Sequence, residues 1–267
     1  MNAFLAVLLL SLSADPNVEF IAHRGESYDA PENTLAAFRL AWERKVSAIE
    51  LDVYPTKDGQ LVVTHDADTR KTTGVSKILK DSTLDELRTL DVGRWKGARF
   101  IGEKLPTLGE AIATIPDGAR CFIELKTGPE VVPTLMKVIA DSGKRPEQLA
   151  IISFNPETVA EAKRKLPQHQ AYWIVSVKRD TAARVLTPTA DELIAKAKSI
   201  QADGLDLSIP PAVDFVQAIK ASGLKVYIWT VNDPIIARQF VELGVDGITT
   251  DRAAWLKEQL AQPAVEK

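Results

Sequence analysis

The chain is 267 residues long, enough for one large core or two small ones, and its 45% hydrophobic and 26% charged content excludes a disordered or fibrous chain. A formal charge of -3 with no long basic run excludes the clustered Lys and Arg that a nucleic acid backbone demands, so no nucleic acid partner is expected. Cys121 is the single cysteine, which excludes an intrachain disulfide and a cysteine cage for zinc; it lies in an apolar run and reads as buried.

The first segment, MNAFLAVLLLSLSADP, carries an apolar run from Ala3 to Leu12, with the small residues Ser11, Ser13 and Ala14 at and beyond its end. The run is shorter than the about 20 apolar residues that span a bilayer, and no cysteine follows it to carry a lipid, so no stable membrane anchor is expected. The pattern predicts an export signal over residues 1–14 and a periplasmic or secreted protein, although no Lys or Arg precedes the run and the first positive side chain is Arg24. An uncleaved N-terminal helix on a cytoplasmic protein is the alternative.

From residue 15 onward, short β-branched runs alternate with helical patterns, the signature of a parallel sheet with crossover helices. Strands are predicted near 18–22, 47–53, 120–125, 149–153, 170–175, 203–207, 224–230 and 246–249. Helices are predicted near 34–44, 108–115, 130–142, 156–165, 191–199, 212–221, 234–243 and 253–261. Gly143, Gly223 and Gly244 stand where helix C-caps belong. Eight such units predict one α/β domain over residues 15–267, a closed (β/α)8 TIM barrel. In that architecture the active site lies at the C-terminal ends of the strands.

Residues 55–106 interrupt the alternation and are predicted to form an insertion on the catalytic face. The segment opens with TKDGQLVVTHD, where Asp58-Gly59 between strand-like runs is a hairpin signal. Antiparallel pairing about that turn is expected to set His65 across from Glu50 or Asp52. A short helix and a loop, including TLDELRTLDVGRWKGARF, are expected to follow.

The strand ends carry the chemistry. Strand one ends in His23 and Arg24, strand two carries Glu50 and Asp52, and strand three carries Glu124 and Lys126. Residues two apart on a strand share a face, so three carboxylates are expected to converge at the barrel mouth. Desolvated like charges repel, and a divalent cation would resolve the repulsion; all-oxygen ligands favour a hard ion, Ca²⁺ or Mg²⁺. Pairing of the acids with Lys126 and Arg24 in a structural salt-bridge cluster is the alternative. Two of only three histidines, His23 and His65, fall at the same mouth and suit proton transfer, whereas His169 precedes strand five at the opposite end and receives no role. Arg24 and Lys126, with a cation, form a clamp suited to phosphate oxygens, and the set points to phosphoryl transfer. Pro31, Glu32 and Asn33 read as helix-start residues, with bracing of the site by Glu32 as the second reading.

The motifs HRGESYDAPENT, IELDVYPTKDGQLVVTHD, RKTTG, TLDELRTLDVG, GEKLPTLGEAI, IELK, WTVND and GVDGITTD together resemble the glycerophosphodiester phosphodiesterase family. The resemblance runs from about Phe20 to Asp251, and RKTTG departs from the more usual acidic-then-Arg run before the threonines. It implies a (β/α)8 barrel with an insertion after the second strand and a divalent cation held by Glu50, Asp52 and Glu124. It further implies His23 and His65 as the acid and base pair, without deciding which is which, Arg24 and Lys126 as phosphate binders, and Trp229 as a wall of the substrate cleft. The implied reaction is hydrolysis of a small glycerophosphodiester to glycerol 3-phosphate and an alcohol. Two alternatives stay open: a lysophospholipase D with Trp95, Phe100 and Ile101 as an apolar loop, and a non-catalytic barrel that binds a phosphodiester. Oligomeric state is not legible.

Overall fold

The computed structural model describes residues 18–262 except 181–184, 209 and 211; the segment read as an export signal lies outside them. The strands are β1 (Glu19–Ala22), β2 (Ala48–Pro55), β3 (Leu61–Val63), β4 (Arg120–Leu125), β5 (Leu149–Ser153), β6 (Ala171–Ser176), β7 (Lys178–Asp180), β8 (Val185–Thr187), β9 (Gly204–Ser208), β10 (Lys225–Ile228) and β11 (Gly247–Thr250). The helices are α1 (Leu35–Glu43), α2 (Arg70–Thr73), α3 (Leu84–Leu87), α4 (Leu108–Ala113), α5 (Val132–Ser142), α6 (Pro156–Lys165), α7 (Ala190–Ser199), α8 (Val213–Ala221), α9 (Pro234–Glu242) and α10 (Ala253–Ala261). Eight parallel strands run in the order β1-β11-β10-β9-β6-β5-β4-β2, and β1 pairs with β2 as well, which closes the barrel. The alternation predicted this closed barrel, and each of its eight strands lies where the β-branched runs placed it.

Side chains alternate between two cores. Those pointing outward pack between the sheet and the helices, among them Ile49, Leu51, Ile123, Leu205 and Val226 against Phe38, Leu135, Val216 and Phe240. Those pointing inward, including Ile21, Phe122, Ile152, Tyr172, Ile174 and Tyr227, fill the barrel itself. Phe122, Tyr172 and Tyr227 meet with ring centroids 4.7 to 5.9 Å apart, a separation at which aromatic pairs attract. Near them, at the N-terminal end, Arg120 bonds Glu19 at 2.7 Å, and the Tyr172 hydroxyl donates to Gln170 at 2.7 Å. The bottom of the barrel is therefore plugged, and polar residues at the opposite end face a cavity.

The helix starts explain themselves chemically. Thr107 and Thr189 form capping boxes with Glu110 and Glu192, while Asn155 and Asp233 cap α6 and α9 with a proline at the first turn of each. Cys121 is buried in the outer core, as its apolar run predicts.

The segment between β2 and α4 starts as a hairpin with Val53 opposite Val63, Tyr54 opposite Val62 and Pro55 opposite Leu61. Thr64 continues it by donating its N–H to the Asp52 carbonyl at 3.0 Å. That register corrects the expected cross-strand partners of His65: Thr64, not His65, stands opposite Asp52, and His65 lies one residue beyond that bond, where the chain leaves the sheet toward the mouth. The rest of the segment builds its own small core from Val62, Leu79, Leu87, Val92 and Leu105. It is tied to the loop after β1, because Lys96 donates to the Ser27 carbonyl at 2.6 Å and Arg99 to that of Asp29 at 2.7 Å.

One hairpin was not anticipated: β7 and β8 pair antiparallel beyond β6. Its sequence, KRDTAARVLT, lacks the apolar alternation that marks a half-buried strand.

Gly247 in β11 is required by packing. A Cβ there would lie 2.6 Å from the Tyr227 ring and 3.0 Å from the Glu19 carbonyl. Gly247→Ala is therefore expected to lower stability by about 1–3 kcal/mol through overpacking of the barrel floor, as read by urea denaturation.

Candidate active site

The loop after β1 is built to turn sharply. Arg24 and Gly25 both adopt positive φ, 56° and 79°, and a Cβ on Gly25 would meet the Ala37 backbone at 2.7 Å, so glycine lets the loop lie directly on α1. The turn leaves His23 and the Arg24 side chain at the mouth and aims the Arg24 N–H at Glu50, 2.9 Å away. Of Pro31, Glu32 and Asn33, expected to start the helix, none caps it: Thr34 does, accepting from the Ala37 N–H. Asn33, at φ 58°, instead grips Asp52 twice, donating from Nδ2 to Oδ2 at 2.8 Å and accepting the Asp52 N–H at 3.2 Å. Glu32 braces the site by bonding Arg24 at 2.8 Å and Lys71 at 2.9 Å.

Glu50, Asp52 and Glu124 converge as the strand alternation requires: each is buried, and each offers an oxygen within 4.8 Å of the others. Asp52 and Glu124 are direct register partners on β2 and β4. Lys126 Nζ lies 2.7 Å from Glu124 and 3.2 Å from Asp52, and Arg24 Nε lies 3.3 Å from Asp52. The charges respond unequally. Burial, then Asp52 and Glu124, push the Glu50 carboxyl well above its ordinary range. Burial and Asp52 push Glu124 up to about 7 despite Lys126. Burial works the same way on Asp52, but Lys126, Arg24, His65 and Asn33 outweigh it and hold that carboxyl low. Two fixed cations thus leave the triad under-compensated. Arg24 Nε and Glu124 Oε1, both buried, sit in ion-pair range without hydrogen-bond geometry. Such an all-oxygen cluster with unsatisfied buried atoms fits a hard divalent cation.

Both histidines line the same cavity as Arg24, Glu50, Glu124 and Lys126, and each has its Nδ1 tied to a carboxylate. His23 meets Asp251 at 2.7 Å, and His65 meets Asp66 at 2.7 Å. With Nδ1–H donating, Nε2 of each ring is the free atom. Burial, helped by Arg24 and Lys126, holds His65 below the usual imidazole value against the pull of Asp52 and Asp66. His169, given no role, is buried before β6 and lines none of this.

The rest of the wall is largely apolar. Ile152, Phe154, Ile174 and Trp229 line it, and Phe154 meets Trp229 edge-on with centroids 5.6 Å apart. Asp206 and Thr249 lie among them, and the cavity volume is about 140 Å³. A cavity that sets charged groups beside apolar ones, with Ile152 in register with Glu124 and the Phe154 ring 5.9 Å from Lys126 Nζ, is suited to a small phosphate ester with a short carbon skeleton.

The glycerophosphoryl diester phosphodiesterase family's sequence profile matches residues 23–254. The chain belongs to that family. It is 36% identical over 236 residues to a glycerophosphodiester phosphodiesterase of Caldanaerobacter subterraneus, covering 86% of this chain and 93% of that one. A glycerophosphodiester phosphodiesterase of Bacillus subtilis is 29% identical over 248 residues, covering 86% and 82%. Among solved structures, an Oleispira antarctica phosphodiesterase in complex with the product sn-glycerol 3-phosphate superposes with a TM-score of 0.81 at 29% identity, over 91% of this chain and 97% of that one.

Within this family member, sequence reasoning missed the group that holds His23. Asp251 follows β11 and accepts from His23, from Ser27 at 3.3 Å and from Asn232 at 2.6 Å, and Asn232 in turn accepts the Asp251 N–H at 2.9 Å and the Thr250 hydroxyl at 2.8 Å. Burial opposes ionisation of Asp251, but the bonds from His23, Asn232 and Ser27 prevail and hold its carboxyl low. The signal was the acidic end of GVDGITTD, which becomes meaningful only once β11 pairs with β1. Asp251→Ala is expected to release the His23 ring from the Nδ1–H tautomer, visible as a shift of its ring nitrogens by NMR, with the His65 nitrogens unmoved.

Proposed function

We propose that this protein hydrolyses glycerophosphodiesters to sn-glycerol 3-phosphate and an alcohol at the C-terminal mouth of its barrel. The observation that carries the reading is the meeting, in one cavity, of two carboxylate-anchored imidazoles, three buried acids and two fixed cations. Glu50, Asp52 and Glu124 would hold a divalent cation, Ca²⁺ or Mg²⁺, which when bound supplies Lewis-acid neutralisation of phosphate charge. Arg24 and Lys126, held by Glu32, Asp52 and Glu124, present positive charge to the phosphate oxygens where charge builds during transfer. The Nε2 atoms of His23 and His65 divide the proton work: one takes a proton from the nucleophile, either water itself or the glycerol 2-hydroxyl followed by water on the resulting cyclic phosphate, and the other protonates the departing alkoxide. Trp229 and Phe154 wall the cleft against which the carbon skeleton lies. The product held by the Oleispira antarctica relative supports the glycerol 3-phosphate half of the reaction.

A lysophospholipid substrate is the second reading. Trp95 and Ile101 are exposed beside the loop that Lys96 and Arg99 tie to the region of Tyr28, itself exposed, so an apolar rim stands near the mouth. Turnover of glycerophosphocholine against lysophosphatidylcholine separates the readings, and the first is expected to be the better substrate.

His23→Ala and His65→Ala are each expected to lower turnover of glycerophosphocholine by at least about 100-fold, the low end for removal of a general acid or base. Near-normal rates in either variant would reject the acid and base pair. Exhaustive EDTA treatment is expected to abolish activity, and added Ca²⁺ or Mg²⁺ to restore it; an undiminished rate after chelation would sink the metal reading. Export rests on the N-terminal apolar run, and N-terminal sequencing of the natural protein is expected to begin near residue 15.

A further inference from the structure

Among the described residues, Asp206 is the one carboxyl lining the cavity that neither the acid triad nor the histidine pair uses. It lies on β9, in register with Ile174 on β6 and Tyr227 on β10, and points into the barrel between apolar neighbours. The residue is 5% exposed, and its Oδ1 is fully buried with no hydrogen-bond partner among the described residues. Its own backbone carbonyl is satisfied, accepting from Trp229 Nε1 at 3.2 Å, so the strand does not need the side chain to complete its bonding. Folding strands such an oxygen at a cost, and a buried acceptor left open in a binding cavity points to a ligand donor.

The position of Asp206 says which donor. Its strand is separated from β4, which carries Glu124 and leads to Lys126, by β5 and β6, so it lies around the barrel from the phosphate clamp. A phosphate held at Arg24 and Lys126 leaves two substituents. The variable alcohol has the open mouth as its exit, whereas the moiety directed across the cavity must be small and polar at its far end. Glycerol meets both demands.

Resting on the glycerophosphodiester reading above, we infer that Asp206 receives a hydrogen bond from the glycerol hydroxyl farthest from phosphorus and so makes the site select glycerol over alcohols lacking that group. Burial, with Glu124 nearby, pushes this carboxyl up to about 8, so at neutral pH it exchanges hydrogen bonds with a hydroxyl without adding another negative charge beside the triad. A site built to bond a hydroxyl rejects the analogue without it, because the buried polar atom is then left unpaired.

The test compares glycerophosphocholine with the analogue in which the terminal glycerol hydroxyl is replaced by hydrogen, the phosphocholine diester of propane-1,2-diol. The wild type is expected to prefer glycerophosphocholine by about tenfold or more in kcat/KM. Asp206→Ala is expected to bring that preference close to one by losing rate on glycerophosphocholine alone, and Asp206→Asn, which still offers a polar partner, to keep most of it. The melting temperature of Asp206→Ala is expected to match or exceed the wild type, since no bond within the protein is lost. Equal losses on both substrates, or a wild-type preference near one, would overturn the inference, as would a lower melting temperature with the preference intact. Calorimetric binding of glycerol 3-phosphate against propane-1,2-diol 1-phosphate reads the same selectivity without turnover. Absence of turnover on either diester would reject the hydrolytic reading, while Asp206 would stand or fall on this binding ratio, and failure of both phosphates to bind would overturn it.

Discussion

Three carboxylates buried within 4.8 Å of one another impose the constraint around which the mouth of this barrel is arranged. Like charges so close in a poorly solvated space do not all stay ionised unaided. The chain meets the problem unevenly. Asp52 gathers Lys126, Arg24 and both ends of the Asn33 amide, whereas among the described residues Glu50 receives only a backbone N–H and Glu124 shares Lys126. A self-contained salt-bridge cluster would leave no acid displaced above its ordinary range. Here two are, an imbalance that a hard divalent cation would relieve.

Closure of the sheet is what gives the acids their histidines. β1 pairs with β2 on one side and β11 on the other, so the loop after β1 reaches Glu50 through the Arg24 N–H and Asp251 through the His23 ring. His65 arrives by another route, from a hairpin that extends β2 and then leaves the sheet. Two rings from different loops thus present their Nε2 atoms to one cavity, each fixed at Nδ1 by an acid. Orientation of this kind is set before substrate arrives, which is the form in which binding geometry contributes most to rate.

Charged and apolar groups share the cavity. Arg24 and Lys126 carry the charges that a phosphate diester demands; Ile152, Ile174, Phe154 and Trp229 supply apolar surface, with Asp206 and Thr249 the polar groups among them. At the far end the aromatic plug of Phe122, Tyr172 and Tyr227 fills the barrel, away from the mouth. The insertion adds His65 to this face and is itself held by its own apolar core.

The fold was legible because the barrel repeats a local signal eight times, a β-branched run followed by a helical pattern, and five of the eight helices add a side-chain cap. Period and capping are properties of neighbouring residues, and the sequence by itself determined the closed barrel and the set of acids, histidines and cations at the strand ends. It misjudged elements whose partners are remote. The pairing of His65 shifted by a residue because register is decided by the whole hairpin, and the charged β7–β8 ribbon carries no apolar period to betray it. Asn33 reads as a helix-start residue because that is its local preference, yet a sheet strand claims it, while Glu32 takes its second reading and braces Arg24. Only the tertiary structure joined Asp251 to His23, 228 positions apart, and left Asp206 without a partner, because both facts depend on which strands become neighbours when the barrel closes.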